Sequence, residues 1–210
     1  MLKSGESNWT SRGVLAALAD TPQLEGEPGS AYAYTSVGYI CLASIVERIA
    51  GAAFSEFART HIFEPLGMKS SIFWTGPTAA PPTAAVSEPT SPAALSAGDG
   101  GLWTTVSDLL RWNAAILNDA LGITAKMHTP GNLDDGTALD YAWGVRVFRA
   151  SGVVVQSHGG NYGNATAKLI RLPDTSASFA VLAADSSVER MVTLSDLLQA
   201  SLIQHASATL

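Results

Sequence analysis

After Pro130 the spacing of apolar residues changes from the helical period to the strand period, and this switch constrains the fold more than any other feature of the chain. Tyr141, Trp143, Val145 and Val147 alternate with Ala142, Gly144, Arg146 and Phe148, which predicts a strand. Ser151-Gly152 turns the chain into a second strand, Val153 to Ser157, which His158-Gly159-Gly160 interrupts. Ala165 to Leu172 and Ala177 to Ala183 read as two further strands joined by a tight turn at Pro173-Asp174. Strands linked by short turns pair antiparallel, so the expected sheet is a meander. Ser187 is placed to cap a last helix, on which Met191, Leu194, Leu198 and Leu202 form the stripe expected to pack on the sheet.

Ahead of the switch the pattern is helical. Ser11 to Ala19 carries Val14, Leu15 and Leu18 on one face, and Pro22 with Pro28-Gly29 forms a turn region. Val37 to Ile49 carries Ile40, Ala43, Ile45, Val46 and Ile49, which predicts a mostly buried helix ended by a left-handed cap at Gly51. A helix from Phe54 to Ile62 follows and is broken by Pro65 and Gly67. Pro77 to Pro92 has loop composition. Thr105 with Asp108 makes a capping-box-like start for a helix from Val106 to Leu117, with Leu109, Trp112 and Ile116 toward the core. The expected class is α/β of the α+β type: an antiparallel sheet packed by a C-terminal helix, plus an all-helical subdomain. Residues 1–210 read as one domain, with 1–130 helical and loop and 131–210 sheet and helix.

With 210 residues, 47% hydrophobic and 14% charged, the chain can bury one sizeable core. Its net charge of -6, with twelve Lys and Arg scattered without a basic run, argues against a nucleic-acid partner. Cys41 is the only cysteine, so no intrachain disulfide exists. No stretch approaches the roughly 20 apolar residues of a membrane span, and MLKSGESNWT has no apolar signal core, so no membrane partner and a cytoplasmic location are expected for the chain as given.

Tyr34-Thr35-Ser36 stands at the mouth of the Val37 helix, where backbone N–H groups lack helical partners and polar side chains project outward. Together with the helix and Pro65-Leu66-Gly67-Met68, it closely resembles the serine beta-lactamase-like and penicillin-binding-protein-like superfamily, in which Tyr-Ser-Asn-x-Gly-Tyr, a helix and Pro-Leu-Gly-Met follow in that order. Gly100 to Leu109 is similar to the family's Gly-Gly-Leu-x-x-Thr-x-x-Asp-Leu pattern, and Leu2 to Gly5 to the end of a segment that precedes the tyrosine motif, which implies a chain that begins inside the family domain. The members it most resembles are class C beta-lactamases, esterases and D-alanyl-D-alanine carboxypeptidases. The resemblance implies a cleft where a Ser-x-x-Lys nucleophile, the tyrosine motif and a Lys-Thr-Gly or His-x-Gly strand motif meet.

On that resemblance Tyr34 and His158 are the catalytic candidates, expected to approach one another. Ser36, Gly159, Gly160 and Asn161 are the substrate-binding candidates. Ser4 is a further polar candidate, and Trp103 and Trp143 are candidates to line a pocket for an apolar group. A serine hydroxyl is a poor nucleophile until a neighbour takes its proton, and glycines beside His158 let a substrate backbone lie against the strand. The first motif is missing from these residues: Lys69, Lys126 and Lys168 follow Leu66, Ile123 and Ala165 at the required spacing, and Lys3 stands too close to the start. The expectation is therefore a hydrolase of small ester or amide substrates that is weak or uses another route, such as Tyr34 or His158 activating water. The alternatives are an inactive remnant that binds ligand through the same cleft, or a metal-dependent hydrolase using His158 with Asp99. His61, His128 and His205 show no metal-ligand spacing, and neither metal nor cofactor is implied. A homo-oligomer is expected, because in the complete family domain N-terminal strands and a helix cover surface that this chain would leave open.

Overall fold

A computed structural model describes residues 10–21, 23, 24, 26–74, 81, 96–162, 165–184 and 187–208. Ser4, the Leu2 to Gly5 segment, Pro22 and, apart from Pro81, the 77–92 segment lie outside the described residues. The chain forms two compact units, Met1–Thr104 and Thr105–Leu210.

The first unit holds α1 (Ser11–Ala19), α2 (Ser36–Ala50), α3 (Phe54–Ala58) and a two-stranded ladder of β1 (Ile72–Phe73) with β2 (Leu102–Trp103), so it is not wholly helical. Thr10 caps α1 by accepting the Gly13 N–H, and Thr35 caps α2 by accepting the Val37 N–H at 3.2 Å. Gly51 ends α2 at φ 66°, the left-handed conformation that glycine adopts without a Cβ clash. The expected Phe54 helix changes character at Arg59: Arg59–Phe63 is a π turn, closed by Glu64 N–H to Arg59 O at 2.9 Å and Met68 N–H to Phe63 O at 2.8 Å, and the chain then turns at Gly67. Phe63 and Phe54 both pack on Phe73.

The expectation that α2 is mostly buried does not hold. Only Ile40 and Ala43 are buried, while Leu42, Ile45 and Ile49 are exposed, Ile49 to 82%. The helix packs on α1 and α3 along one stripe, and its apolar residues continue around the cylinder beyond that stripe.

The second unit contains α4 (Val106–Leu117), α5 (Thr124–Met127), a four-stranded antiparallel meander and α6 (Val188–Ser207). The strands are β3 (Arg146–Ala150), β4 (Val153–Tyr162), β5 (Ala165–Leu172) and β6 (Ala177–Ala184), ordered β3-β4-β5-β6. Two strand readings change. The first strand begins at Arg146, because Gly144 at φ 76° turns the chain and leaves only an isolated Tyr141–Arg146 bridge before it. His158-Gly159-Gly160 does not interrupt the second strand, since β5 pairs with it through Tyr162.

Residues opposite one another in register share a face of the sheet. One face presents Val153, Val155, Ile170 and Leu172, all fully buried against Ile203 and Ala206 of α6, each large side chain contributing about 1.5 to 3 kcal/mol. Of the predicted α6 stripe, Leu202 packs against this cluster, but the stripe as a whole is not the buried face. Ser195, Ile203 and Ala206 are buried, whereas Leu194 and Leu198 are 44% and 42% exposed. Small Ser195 and Ala206 let the helix approach closely, which large leucines at the same positions would prevent. The opposite face carries Gln156, His158, Leu169, Arg171 and Ser178, and Arg171 there meets Asn113 of α4 and His128. As expected, Thr105 caps α4 by accepting the Asp108 N–H, and Leu109 and Ile116 are buried.

Candidate functional site

In the first unit Tyr34 stands two residues ahead of α2 and is 59% exposed, with Ser36 exposed at the first helical position. Tyr32, Tyr34 and Tyr39 are neighbours: burial, then the nearby Tyr34 and Tyr32 hydroxyls, push the Tyr39 phenol above its ordinary pKa. The glycine loop beside them is anchored by Ser96 Oγ to Asp99 Oδ1 at 3.0 Å and by Ala97 N–H to Ser11 Oγ at 3.2 Å. Gly98, at φ 108°, lies so close to the first turn of α2 that a Cβ would sit 2.2 Å from the Tyr39 carbonyl oxygen. The loop and the helix that follows Tyr34 are thus locked together by a glycine.

In the second unit the strand motif occupies a half-open strand. β3 covers β4 only from Val153 to Ser157, so among the described residues β4 is paired to β5 alone from His158 to Asn161. His158, Gly159, Gly160 and Asn161 are all exposed on this edge. Among the described residues a Cβ on Gly160 would meet nothing within 4 Å, while one on Gly159 would press on Lys168 Cδ at 3.1 Å.

The chain leaves the line of β3 through the 141–145 turn. Ala142 N–H donates to Val145 O at 2.8 Å, Trp143 N–H to Met127 O at 3.3 Å, and Gly131 N–H to Tyr141 O at 3.1 Å. This turn adjoins His158. Tyr141 Oη is 3.5 Å from His158 Nδ1, the outer limit of a hydrogen bond, and the Gly144 carbonyl accepts from the ring. His158 is exposed as a residue, yet sheet and turn crowd its ring. This partial burial first, then the Lys168 and Arg171 cations, hold its pKa below 6.5 against the opposing pull of the Gly144 carbonyl. A neutral imidazole at neutral pH is a competent proton acceptor.

Behind His158 lies a buried cluster that the sequence reading missed. Arg171 is 2% exposed; its Nε donates to Gln156 Oε1 at 3.3 Å, Nη1 to Asn113 Oδ1 at 3.0 Å, and Nη2 faces His128 Nε2 at 3.1 Å. His128 Nδ1 donates to Thr124 O at 2.8 Å, which leaves Nε2 as the acceptor toward Arg171. Desolvation lowers the guanidinium pKa to about 10, so it stays charged at neutral pH. His128 in turn is held below its ordinary value by burial and by Arg171. An arginine in a strand pattern gives no sign of burial; the available signal was Gly144 inside an alternating run, which marks a turn and so places Tyr141 beside His158.

Among the described residues, no three His, Cys, Asp or Glu side chains form a metal-binding group. No single helix there is long and apolar enough to cross a membrane.

Comparison with known proteins adds the family. The chain is 27% identical over 167 residues to a D-aminopeptidase of Gluconobacter oxydans (strain 621H), covering 74% of this chain and 32% of that protein. It is 28% identical over 107 residues to the D-alanyl-D-alanine-carboxypeptidase/endopeptidase AmpH of Escherichia coli (strain K12), covering 50% and 28%. The chain therefore spans about a third of the length of these relatives. The octameric penicillin-binding protein homologue from Pyrococcus abyssi shares the fold at a TM-score of 0.70 and 24% identity, over 86% of this chain and 45% of that one. The Beta-lactamase family model matches residues 2–202, nearly the whole sequence, and with the tyrosine, glycine-loop and histidine motifs in their expected order the chain belongs to that family.

Proposed function

We propose that this protein is a hydrolase of amide or ester bonds in small substrates, with an extended substrate lying along the open edge of β4. The observation that supports this best is the run His158–Asn161: main chain paired on one side only among the described residues, two glycines without side chains, and a histidine held neutral. An amide-bearing substrate placed there exchanges hydrogen bonds with the edge as a further strand would. The names of the relatives, an aminopeptidase and a carboxypeptidase, fit amide substrates built from amino acids. His158 takes a proton from water as its oxygen attacks the carbonyl carbon; the carbon–nitrogen or carbon–oxygen bond then breaks and the proton passes to the leaving group. Tyr34 and Ser36 enter the proposal as the candidates of the tyrosine motif, and Gly159, Gly160 and Asn161 hold the substrate along the edge.

The test is turnover of an amino-acid amide and of a short-chain ester by the pure chain. Tyr34→Phe and His158→Ala are each expected to lower kcat/KM by about 100-fold or more, the usual loss for a proton-transfer group. Rates no faster than buffer, or variants as active as the parent, would sink the proposal. A second reading, binding without turnover at the same edge, is favoured by one observation, the lack of any Ser-x-x-Lys in these 210 residues. Ligand bound with no product formed would select it.

The proposal extends to a homo-oligomer. Leu42, Ile45 and Ile49 make an exposed stripe at i, i+3 and i+7 on α2, and Leu194, Leu197 and Leu198 make another on α6. Such stripes fit helices of a second copy. Light scattering at micromolar concentration should give a mass of at least twice the chain; a monomeric mass removes this part.

A further inference from the structure

We infer that Trp143 is a specificity-determining residue, which selects substrates carrying a bulky apolar or aromatic side chain next to the bond that is cut. This rests on the reading of the β4 edge as the substrate site. Its starting point is an unusual exposure: Trp143 is 60% exposed, whereas the other described tryptophans, Trp74, Trp103 and Trp112, are half-buried. A mobile loop could hide an exposed indole part of the time, but this turn is fixed. The Trp143 N–H is bonded to Met127 O, Gly144 N–H to Ala142 O at 3.0 Å, and Val145, whose side chain is buried, accepts from Ala142. The protein thus holds a large apolar surface in water at a defined place, and a ligand group that covers it gains by that burial.

That place is set by register. Arg146 is the last β3 residue opposite β4, facing Ser157, so an incoming extended segment paired to His158–Asn161 would lie in line with β3. Its path ends against the 141–145 turn, where the chain swings away and where the Gly144 carbonyl and Tyr141 hydroxyl touch the His158 ring. The side chain of the substrate residue at that end meets Trp143, while its main chain passes His158. Side chains along an extended segment alternate between faces, so one residue reaches the indole and its neighbours do not. Gly160, where a Cβ would meet nothing within 4 Å among the described residues, makes no comparable demand on side-chain size.

Equilibrium binding to the full chain tests this, with N-acetyl-phenylalanine amide and N-acetyl-alanine amide as probes, each in both enantiomers. The native chain is expected to bind the phenylalanine probe at least about tenfold more tightly in the preferred enantiomer, within the range a single apolar group adds in a pocket. Trp143→Ala should abolish that preference and leave alanine-probe affinity within about twofold, and Trp143→Phe should keep most of it. A preference that survives in Trp143→Ala, or an equal loss for both probes, would overturn the assignment while leaving the edge site standing. No binding of either probe to the native chain would overturn the edge reading and this inference with it.

Discussion

Gly98→Ala is expected to destabilise the first unit by about 3 to 5 kcal/mol, the sum of a left-handed backbone cost of roughly 1 to 3 and an overlap cost of similar size. The added Cβ would lie 2.2 Å from the Tyr39 carbonyl oxygen, 2.8 Å from its carbon and 2.9 Å from Ala43 Cβ, with φ at +108°. Two of those atoms are backbone of α2, so no side-chain rotation relieves the contact. Either the loop lifts from the helix or the helix start shifts, and Tyr34 stands at that start. Gly100→Ala provides the control, since a Cβ there meets nothing within 4 Å and the residue is not at positive φ. Thermal melting followed by circular dichroism should show a large drop for the first variant and a change within about 0.5 kcal/mol for the second. Equal melting of the two would mean that the loop does not rest on α2 as described.

The second large effect is expected in the buried cluster. Asn113→Leu removes the acceptor of Arg171 Nη1 and the donor to Phe179 O, a bond of 3.2 Å to the β6 main chain. Arg171 is then a buried cation with one acceptor fewer, and leaving such a charge under-compensated costs about 3 to 5 kcal/mol. Arg171→Met in the same background should cost less than it does alone, because the charge and its lost partner leave together. Urea unfolding of the two single variants and the double variant measures this coupling. Strict additivity would show that the two side chains do not depend on each other.

Much of this arrangement was legible in the sequence because local rules and tertiary demands agreed. Thr105 and Ser187 cap the helices that follow them, as their positions predict, and Gly51 ends its helix in the left-handed conformation. The change of period after Pro130 marks the meander that forms, and the antiparallel sheet with its C-terminal helix is the architecture found. The misreadings have physical causes. Alternation through Trp143 and Gly144 looks like strand, but Gly144 bends out of it at φ 76°, and among the described residues that bend leaves the β4 edge open beside His158. The glycines after His158 look like a break, yet pairing with β5 carries the strand through them. On α6 the predicted stripe holds at Leu202, which packs on the core, but Leu194 and Leu198 stay exposed while close approach to the sheet selects Ser195 and Ala206. Nothing in a linear pattern shows that Arg171, Asn113, Gln156 and His128 converge, since they come from four separate elements or turns. The candidate site was readable as motifs, while the contact of Tyr141 and the Gly144 carbonyl with His158 required three-dimensional register.

The central claim is that His158, on this edge, performs the proton transfer in hydrolysis. Its pKa is depressed in the folded chain, so the ring is neutral, and able to accept a proton, above that lowered value and protonated below it. The pH profile of kcat/KM for an amino-acid amide is therefore the most direct measurement. An acid limb is predicted with its midpoint below 6.5, activity falling as pH drops through it, and the limb vanishing together with most of the activity in His158→Gln. An acid limb that persists unchanged in His158→Gln would contradict the account.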